Sequence, residues 1–423
     1  MPVYKNLAFK GGGVRGIAYL GAMDYFFNQG YMKPVERVAG TSAGAITACL
    51  LSLNFEDFAS LKAVAETLEY TKVPARKTFQ KLQKDAEDEL NNIEEDFSEV
   101  VAVREAAVPQ AQIQSQSQSQ SHSDTQNGAL SQTYNHIQDR LHLALNGERK
   151  LPKVIFKQVK EVSNSLTNNL RSVTRFFHDK GWYSSDYLYE WLRTNIADQF
   201  TVAKEIYTFA DFQNTSIHVG NRKFLDLYIT GTDITNRTSR IFSYETTPDM
   251  EVALAVRISM SIPLFFEAIT YQYPGTDSPQ TYVDGGMMLN YPVGIFDDLK
   301  YCHKLQRGIN PETLGFFLYS SPEETKYKDI SNIIDYGDAI FDTLLTVQEQ
   351  LIVGSEKNKG RTIFIDDKGI SYDDFAIRVG DEKYRMLYES GYGATEAFFT
   401  NRSNWEQLVS QVQLRFGWRG MGN

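Results

Sequence analysis

The chain has 423 residues, of which 42% are hydrophobic and 23% charged, and its 53 acidic against 43 basic side chains leave a net charge of −10. That length buries one large core or two moderate ones, while the acidic balance argues against nucleic acid as a partner and leaves open a local basic face on an anionic membrane. No apolar run approaches the roughly 20 residues that cross a bilayer, a core strand starts at the N-terminus so that no signal peptide is expected, and Cys49 and Cys302 lack metal-ligand spacing and fit reduced thiols.

The first strand-like run, residues 6–9, feeds Gly11-Gly12-Gly13-Val14-Arg15-Gly16, and a helix is expected over residues 16–30. Consecutive glycines let adjacent N–H groups converge on one anion. In acyl transfer that anion is the tetrahedral oxyanion. Arg15 would fix the loop or help with a phosphate. The same glycines fit the dinucleotide fingerprint, with Glu36 about 20 residues on as a ribose ligand. Glu36 stands at the start of the second strand, however, where the fingerprint wants its acid at a strand end.

A short β-branched run at 35–39 leads into Gly40-Thr41-Ser42-Ala43-Gly44, and an Ala- and Leu-rich helix is expected over 42–53. A serine on such a corner has a strained backbone that pushes its hydroxyl out, and small neighbours admit a carbonyl. The following helix aims its free N–H groups and positive dipole end at that hydroxyl. The string also fits a tight turn with a capping serine, and the segments around it favour the nucleophile.

Residues 73–180 differ in composition. Residues 79–103 are acidic and helical in pattern, and 109–128 hold a Gln-Ser repeat that cannot build a core and reads as a linker. From Arg149 the charge turns basic, and Ile155, Val159, Val162, Leu166, Leu170 and Val173 form one helical stripe. Such a stripe fits packing on the catalytic body slightly better than resting on lipid or lidding the site.

Farther along, helices are expected over 187–200, 250–259 and 332–353, and strands over 225–231, 239–243, 280–284 and 314–319. This alternation implies a mostly parallel sheet covered by helices on both faces. Ligands of such sheets gather at the C-terminal ends of strands, where Gly11, Ser42 and Asp284 all fall. Asp284 closes the 280–284 strand, and Gly285 and Gly286 leave space around its carboxylate. A buried, partly desolvated carboxylate is a base able to take the Ser42 proton and return it to a leaving alcohol. Asp233 reads as a turn carboxylate acting through Asn236, and Asn290 and Pro292 as loop-shaping residues. None of the six histidines (122, 136, 142, 178, 218 and 303) stands in a glycine-framed strand end, which favours a Ser–Asp dyad over a triad.

The glycine loop, the Ser42 elbow and Asp284-Gly285-Gly286, in this order, resemble the patatin-like phospholipases. Residues 229–234, 255–266 and 361–366 are also similar to family segments. Lys10 departs from the acidic residue or serine of some members, a change expected to matter little. The resemblance implies a three-layer α/β/α fold with a catalytic domain over 5–300, interrupted by the 73–180 insert, and a C-terminal extension over 301–423 packed on it. It implies Ser42 as nucleophile, Asp284 as base and the N–H groups around Gly12 and Gly13 as oxyanion hole, with no metal and no cofactor. The expected activity is phospholipase A or lysophospholipase-type release of fatty acid from glycerophospholipids, with room for a protein or small-molecule activator. The protein would be cytoplasmic, peripheral at a membrane surface, or delivered to another cell without a signal peptide. An acyltransferase or thioesterase with the same dyad, or a partner-regulated lipid-binding protein, stays open.

Overall fold

The structure, a computed structural model, describes residues 3–74, 181–320, 330, 333–353, 356–400 and 409–410. The readings made for residues 75–180, including the Gln-Ser linker and the basic stripe, lie outside them. The described residues belong to one compact unit.

At the centre lies β1 (Asn6–Phe9), between β2 (Arg37–Gly40) and β9 (Thr313–Tyr319). Beyond β2 comes β4 (Asp226–Asp233), and beyond β9 comes β10 (Thr362–Asp366); these five strands are parallel. Both β1 and β9 are buried along their whole length, as a parallel strand covered on both faces requires. That is why residues 6–9 and 314–319 read as unbroken apolar runs.

The sheet changes direction next to β4. There β8 (Gln280–Asp284) pairs antiparallel, with Asp284 opposite Gly231 and Tyr282 opposite Asp233, and β7 (Ile269–Tyr271) pairs antiparallel to β8. Strand β5 (Thr238–Phe242) is a further antiparallel neighbour of β4. Asp284 thus closes its strand as expected, but that strand does not share direction with those leading to Gly11 and Ser42. It still reaches the same edge, because β8 enters from beyond the sheet: Gly40 lies level with Ile229, and Asp284 with Gly231. A separate small sheet joins β3 (Gly181–Tyr183) and β6 (Leu264–Phe266) in parallel.

Helices cover both faces, giving three layers. They are α1 (Ile17–Asn28), α2 (Ala43–Ser52), α3 (Phe58–Ala65), α4 (Asp186–Ala197), α5 (Phe209–Gln213), α6 (Val252–Ser259), α7 (Gly286–Leu289), α8 (Ile333–Val353), α9 (Glu356–Lys359) and α10 (Glu382–Thr400). Helices α1 and α10 pack backbone to backbone: a Cβ on Gly391 would lie 1.7 Å from the Ala18 carbonyl oxygen. Below them, the Phe9 and Phe316 rings stack at 4.8 Å. Residues after 301 therefore complete the central sheet, through β9 and β10, as well as its helical cover.

Candidate active site

Strand β2 ends at Gly40 and α2 begins at Ala43, so Thr41 and Ser42 form the corner between them. Ser42 has φ +53° and ψ −124°, a conformation that costs a residue with a Cβ on the order of 1–3 kcal/mol and persists only when its surroundings hold it. They do hold it. The Ser42 N–H donates to Ser259 Oγ at 2.9 Å, and the Ser42 carbonyl accepts from the Ala45 N–H at 2.8 Å. Thr41 Oγ1 donates to the Leu289 carbonyl at 2.8 Å and lies 2.7 Å from Thr230 Oγ1. A Cβ on Gly44 would sit 2.3 Å from the Phe9 carbonyl oxygen, so only glycine lets α2 approach β1 this closely.

The glycine loop leaves β1 and turns through a 3-10 segment, Gly13–Gly16, into α1. Gly13 has φ +58°, and a Cβ there would lie 2.1 Å from the Tyr372 carbonyl oxygen, which accepts the Val14 N–H at 3.0 Å. Arg15 braces the loop: its Nε donates to the Gly12 carbonyl at 3.0 Å, and its Nη1 pairs with the buried Asp367 at 2.5 Å. Gly16 packs against Ala43, to whose Cβ an added Cβ would come within 3.0 Å. Among the described residues, the N–H groups of Gly12 and Gly13 donate to no acceptor. Such free donors, in a loop whose Gly11 and Gly16 abut Ser42 and Ala43, are the raw material of an oxyanion hole.

Asp284 is 1% exposed. Its Oδ1 accepts the Gly286 N–H at 2.6 Å, while its Oδ2 is buried with no hydrogen bond. Burial pushes the carboxyl up to about 7, opposed by the Gly286 N–H and by the nearby Ser42 hydroxyl. Ser42 thus lies close enough for its hydroxyl to act on the carboxylate. Gly285 packs against Thr230, an added Cβ meeting its Oγ1 at 2.2 Å.

Asn290 connects the loops. Its carbonyl accepts the Gly11 N–H at 3.0 Å, and a Cβ on Gly11 would meet both Asn290 Oδ1 at 2.3 Å and Ser42 Cβ at 3.1 Å. Its Nδ2 is buried without a partner. The loop-shaping role expected of Asn290 is thus visible in its backbone, and its side chain stands beside Ser42. Lys10, expected to matter little, is buried, donates to the Leu318 carbonyl at 3.0 Å and pairs with Glu349 at 2.5 Å. A buried ammonium left without that carboxylate would be strongly destabilising, so the departure at this position is structurally consequential.

The rivals fare less well among the described residues. His218 is taken up by the carbonyls of Arg222 and Asp211, at 2.7 and 2.8 Å, and His303 is exposed. Glu36 is exposed at the N-terminal end of β2, the opposite end from the glycine loop. Asp233 accepts the Asn236 N–H and Nδ2, each at 2.9 Å, as its turn role requires. The described residues contain no group of side chains able to hold a metal ion, and no helix among them is long and apolar enough to cross a membrane.

A family model described as Patatin-like phospholipase matches residues 7–297. The uncharacterized protein YqhO of Bacillus subtilis (strain 168) is 29% identical over 225 residues, 52% of this chain and 67% of that protein. A protein named probable lipid hydrolase 463L, from Invertebrate iridescent virus 6, is 31% identical over 157 residues, 36% of this chain and 48% of its own length. The chain thus spans about half the length of this viral relative. Among solved structures, VipD from Legionella pneumophila superposes with a TM-score of 0.45 at 17% identity, over 97% of this chain and 67% of VipD. Full-length ExoU from Pseudomonas aeruginosa, solved with SpcU, gives 0.37 at 16% identity, over 94% and 53%. The family match takes in the glycine loop, the Ser42 corner and the Asp284 turn over well more than half of the chain, and the protein belongs to the patatin-like phospholipases.

Proposed function

We propose that the protein is a lipid acyl hydrolase that releases fatty acid from glycerophospholipids through a Ser42–Asp284 dyad. The observation that carries this reading is the Asp284 carboxyl, buried, with an unpartnered Oδ2 and a pKa of about 7, at the same sheet edge as the positive-φ Ser42. A base poised near neutral pH is what a serine hydroxyl needs when no histidine serves it.

In the first half-reaction Ser42 Oγ attacks the ester carbonyl while its proton passes to Asp284. The oxyanion accepts from the Gly12 and Gly13 N–H groups. As the bond to the alcohol breaks, Asp284 returns the proton to the departing oxygen, leaving an acyl-Ser42 ester. Water then loses a proton to Asp284 and attacks the acyl carbon. The Ser42 oxygen departs, recovers that proton, and fatty acid is released.

An apolar groove supports a lipid substrate over a polar ester. It is lined by Gly13, Gly16, Leu20, Ala43, Ile46 and Leu50. Ala43, the residue after Ser42, lines it, which fits an acyl chain held next to that serine. The name of the viral relative and the family description agree with a lipid substrate. The same reading takes residues 5–300, less the 73–180 insert, as the catalytic domain, with 301–423 as its extension. It places the working enzyme at a membrane surface, with a protein or small-molecule activator as a regulator to be sought.

The test is mass spectrometry after treatment with a fluorophosphonate. An adduct on the Ser42 peptide is expected in the wild type, none in Ser42→Ala, and slower labelling in Asp284→Asn. A folded wild-type protein that takes no adduct at Ser42 would overturn the reading.

A further inference from the structure

Helix α8 lies beyond the residues of the family match, yet its inner face touches both loops of the site. Leu345 packs toward Gly286, where an added Cβ would meet its Cδ2 at 3.4 Å. One turn later, Gln348 commits its whole amide to the segment after Asp284. Its Oε1 accepts the Asn290 N–H at 2.9 Å, and its Nε2 donates to the carbonyls of Gly286 and Met287 at 2.7 and 3.1 Å. The Gly286 residue is therefore held from both sides, because its N–H donates to Asp284 Oδ1 at 2.6 Å. The tether continues through the Asn290 carbonyl to the Gly11 N–H at 3.0 Å. The next helical residue, Glu349, pairs at 2.5 Å with Lys10, which immediately precedes the glycine loop.

We propose that Gln348 and Glu349 are positioning residues that hold the Asp284 loop and the glycine loop in the mutual geometry acyl transfer requires. This rests on the dyad reading above. Neither side chain reaches the reacting atoms, but each satisfies buried polar groups of a different loop, and they are neighbours on one rigid helix. An amide whose three hydrogen bonds all go to the main chain of one loop does more than fill space, which an apolar side chain of equal size would do without the polar burial. Misplacing reacting groups by about 1 Å costs on the order of 100-fold in rate. The Gly286 N–H favours ionised Asp284, so loosening it moves the titration of that carboxyl to higher pH. No charged side chain is among the causes of the Asp284 shift, which are burial, the Gly286 N–H and the Ser42 hydroxyl; Lys10 and Glu349 face each other.

The test measures kcat, KM and the pH profile of kcat/KM on a short soluble ester, per active site counted with a fluorophosphonate. Wild type, Gln348→Met, Gln348→Leu and the double variant Lys10→Met/Glu349→Met are compared, with Ser42→Ala as control. The Gln348 variants should lose about 10- to 100-fold in kcat with KM within about twofold, and their acid limb should move to higher pH. The double variant should lose kcat without moving the limb. A merely structural role would reduce the fraction of active molecules and leave kcat per site and the limb alone. Wild-type kcat per site and an unmoved limb in both Gln348 variants overturn the clamp and leave the dyad standing. Turnover that survives in Ser42→Ala overturns the dyad and the clamp with it.

Discussion

Ser42 and Ser259, 217 residues apart in the chain, meet through a 2.9 Å hydrogen bond from the Ser42 N–H to the Ser259 Oγ. It fastens the Ser42 corner to the last residue of α6, and both residues are buried. Ser259→Ala leaves that donor unpaired, and such a loss costs about 1–3 kcal/mol. Chemical denaturation should show this destabilisation, and ester kinetics a lower kcat. Unchanged stability and kcat would mean that the corner is held by its other contacts alone.

The backbone of Ser42, at φ +53°, makes a second prediction that concerns stability without activity. Glycine adopts this conformation freely, whereas alanine keeps the strain of a Cβ. Ser42→Gly and Ser42→Ala should both be inactive, but the glycine variant should be the more stable by about 1 kcal/mol, after allowing for its greater freedom when unfolded. Thermal denaturation of the pair decides it, and equal or reversed midpoints would argue against stored strain.

Asp284 links activity and stability to pH with opposite signs. As the base of the proposed dyad it acts ionised, so kcat/KM should rise with pH through about 7. Its folded pKa is raised from an unfolded value of about 3.9, so the protonated form favours folding. That contribution is fully present below about pH 4 and is lost as pH rises toward about 7. Asp284→Asn should therefore be more stable than wild type above neutral pH, by on the order of 2 kcal/mol, and lose the advantage in acid. Urea titrations at about pH 4 and about pH 9 check the sign.

The groove between α1 and α2 predicts chain-length selectivity. Ile46 and Leu50 line it one turn apart on α2, and a bulkier side chain there should shorten the acyl group it accepts. Ile46→Trp should lower kcat/KM for a long-chain ester by about 10-fold or more while sparing a short one, a loss in the range that a few methylene contacts supply. An unchanged profile across chain lengths would place the acyl chain elsewhere.

The parts of the site legible from the sequence are those whose backbone demands are local. Gly13 at φ +58° and Ser42 at φ +53° between glycines are short strings that few other residue types satisfy. The direction of β8 was not legible, because a short run such as residues 280–284 looks the same whichever way it pairs. Nor were the braces. Arg15 and Asp367 meet across 352 residues, and no spacing rule connects Lys10 with Glu349 or Gln348 with Asn290. Helix α10 is not legible in the sequence because Gly391 and Gly393 interrupt its pattern; the structure uses Gly391 for close contact with α1.

The most direct test of the dyad hydrolase is fatty-acid release from mixed phospholipid vesicles by the purified protein, beside Ser42→Ala and Asp284→Asn, with and without cell extract. Release that both substitutions abolish is the predicted result, and dependence on extract would identify an activator as part of the working enzyme. Full release by Ser42→Ala, or no release by wild type from vesicles or simple esters in any condition, would contradict it.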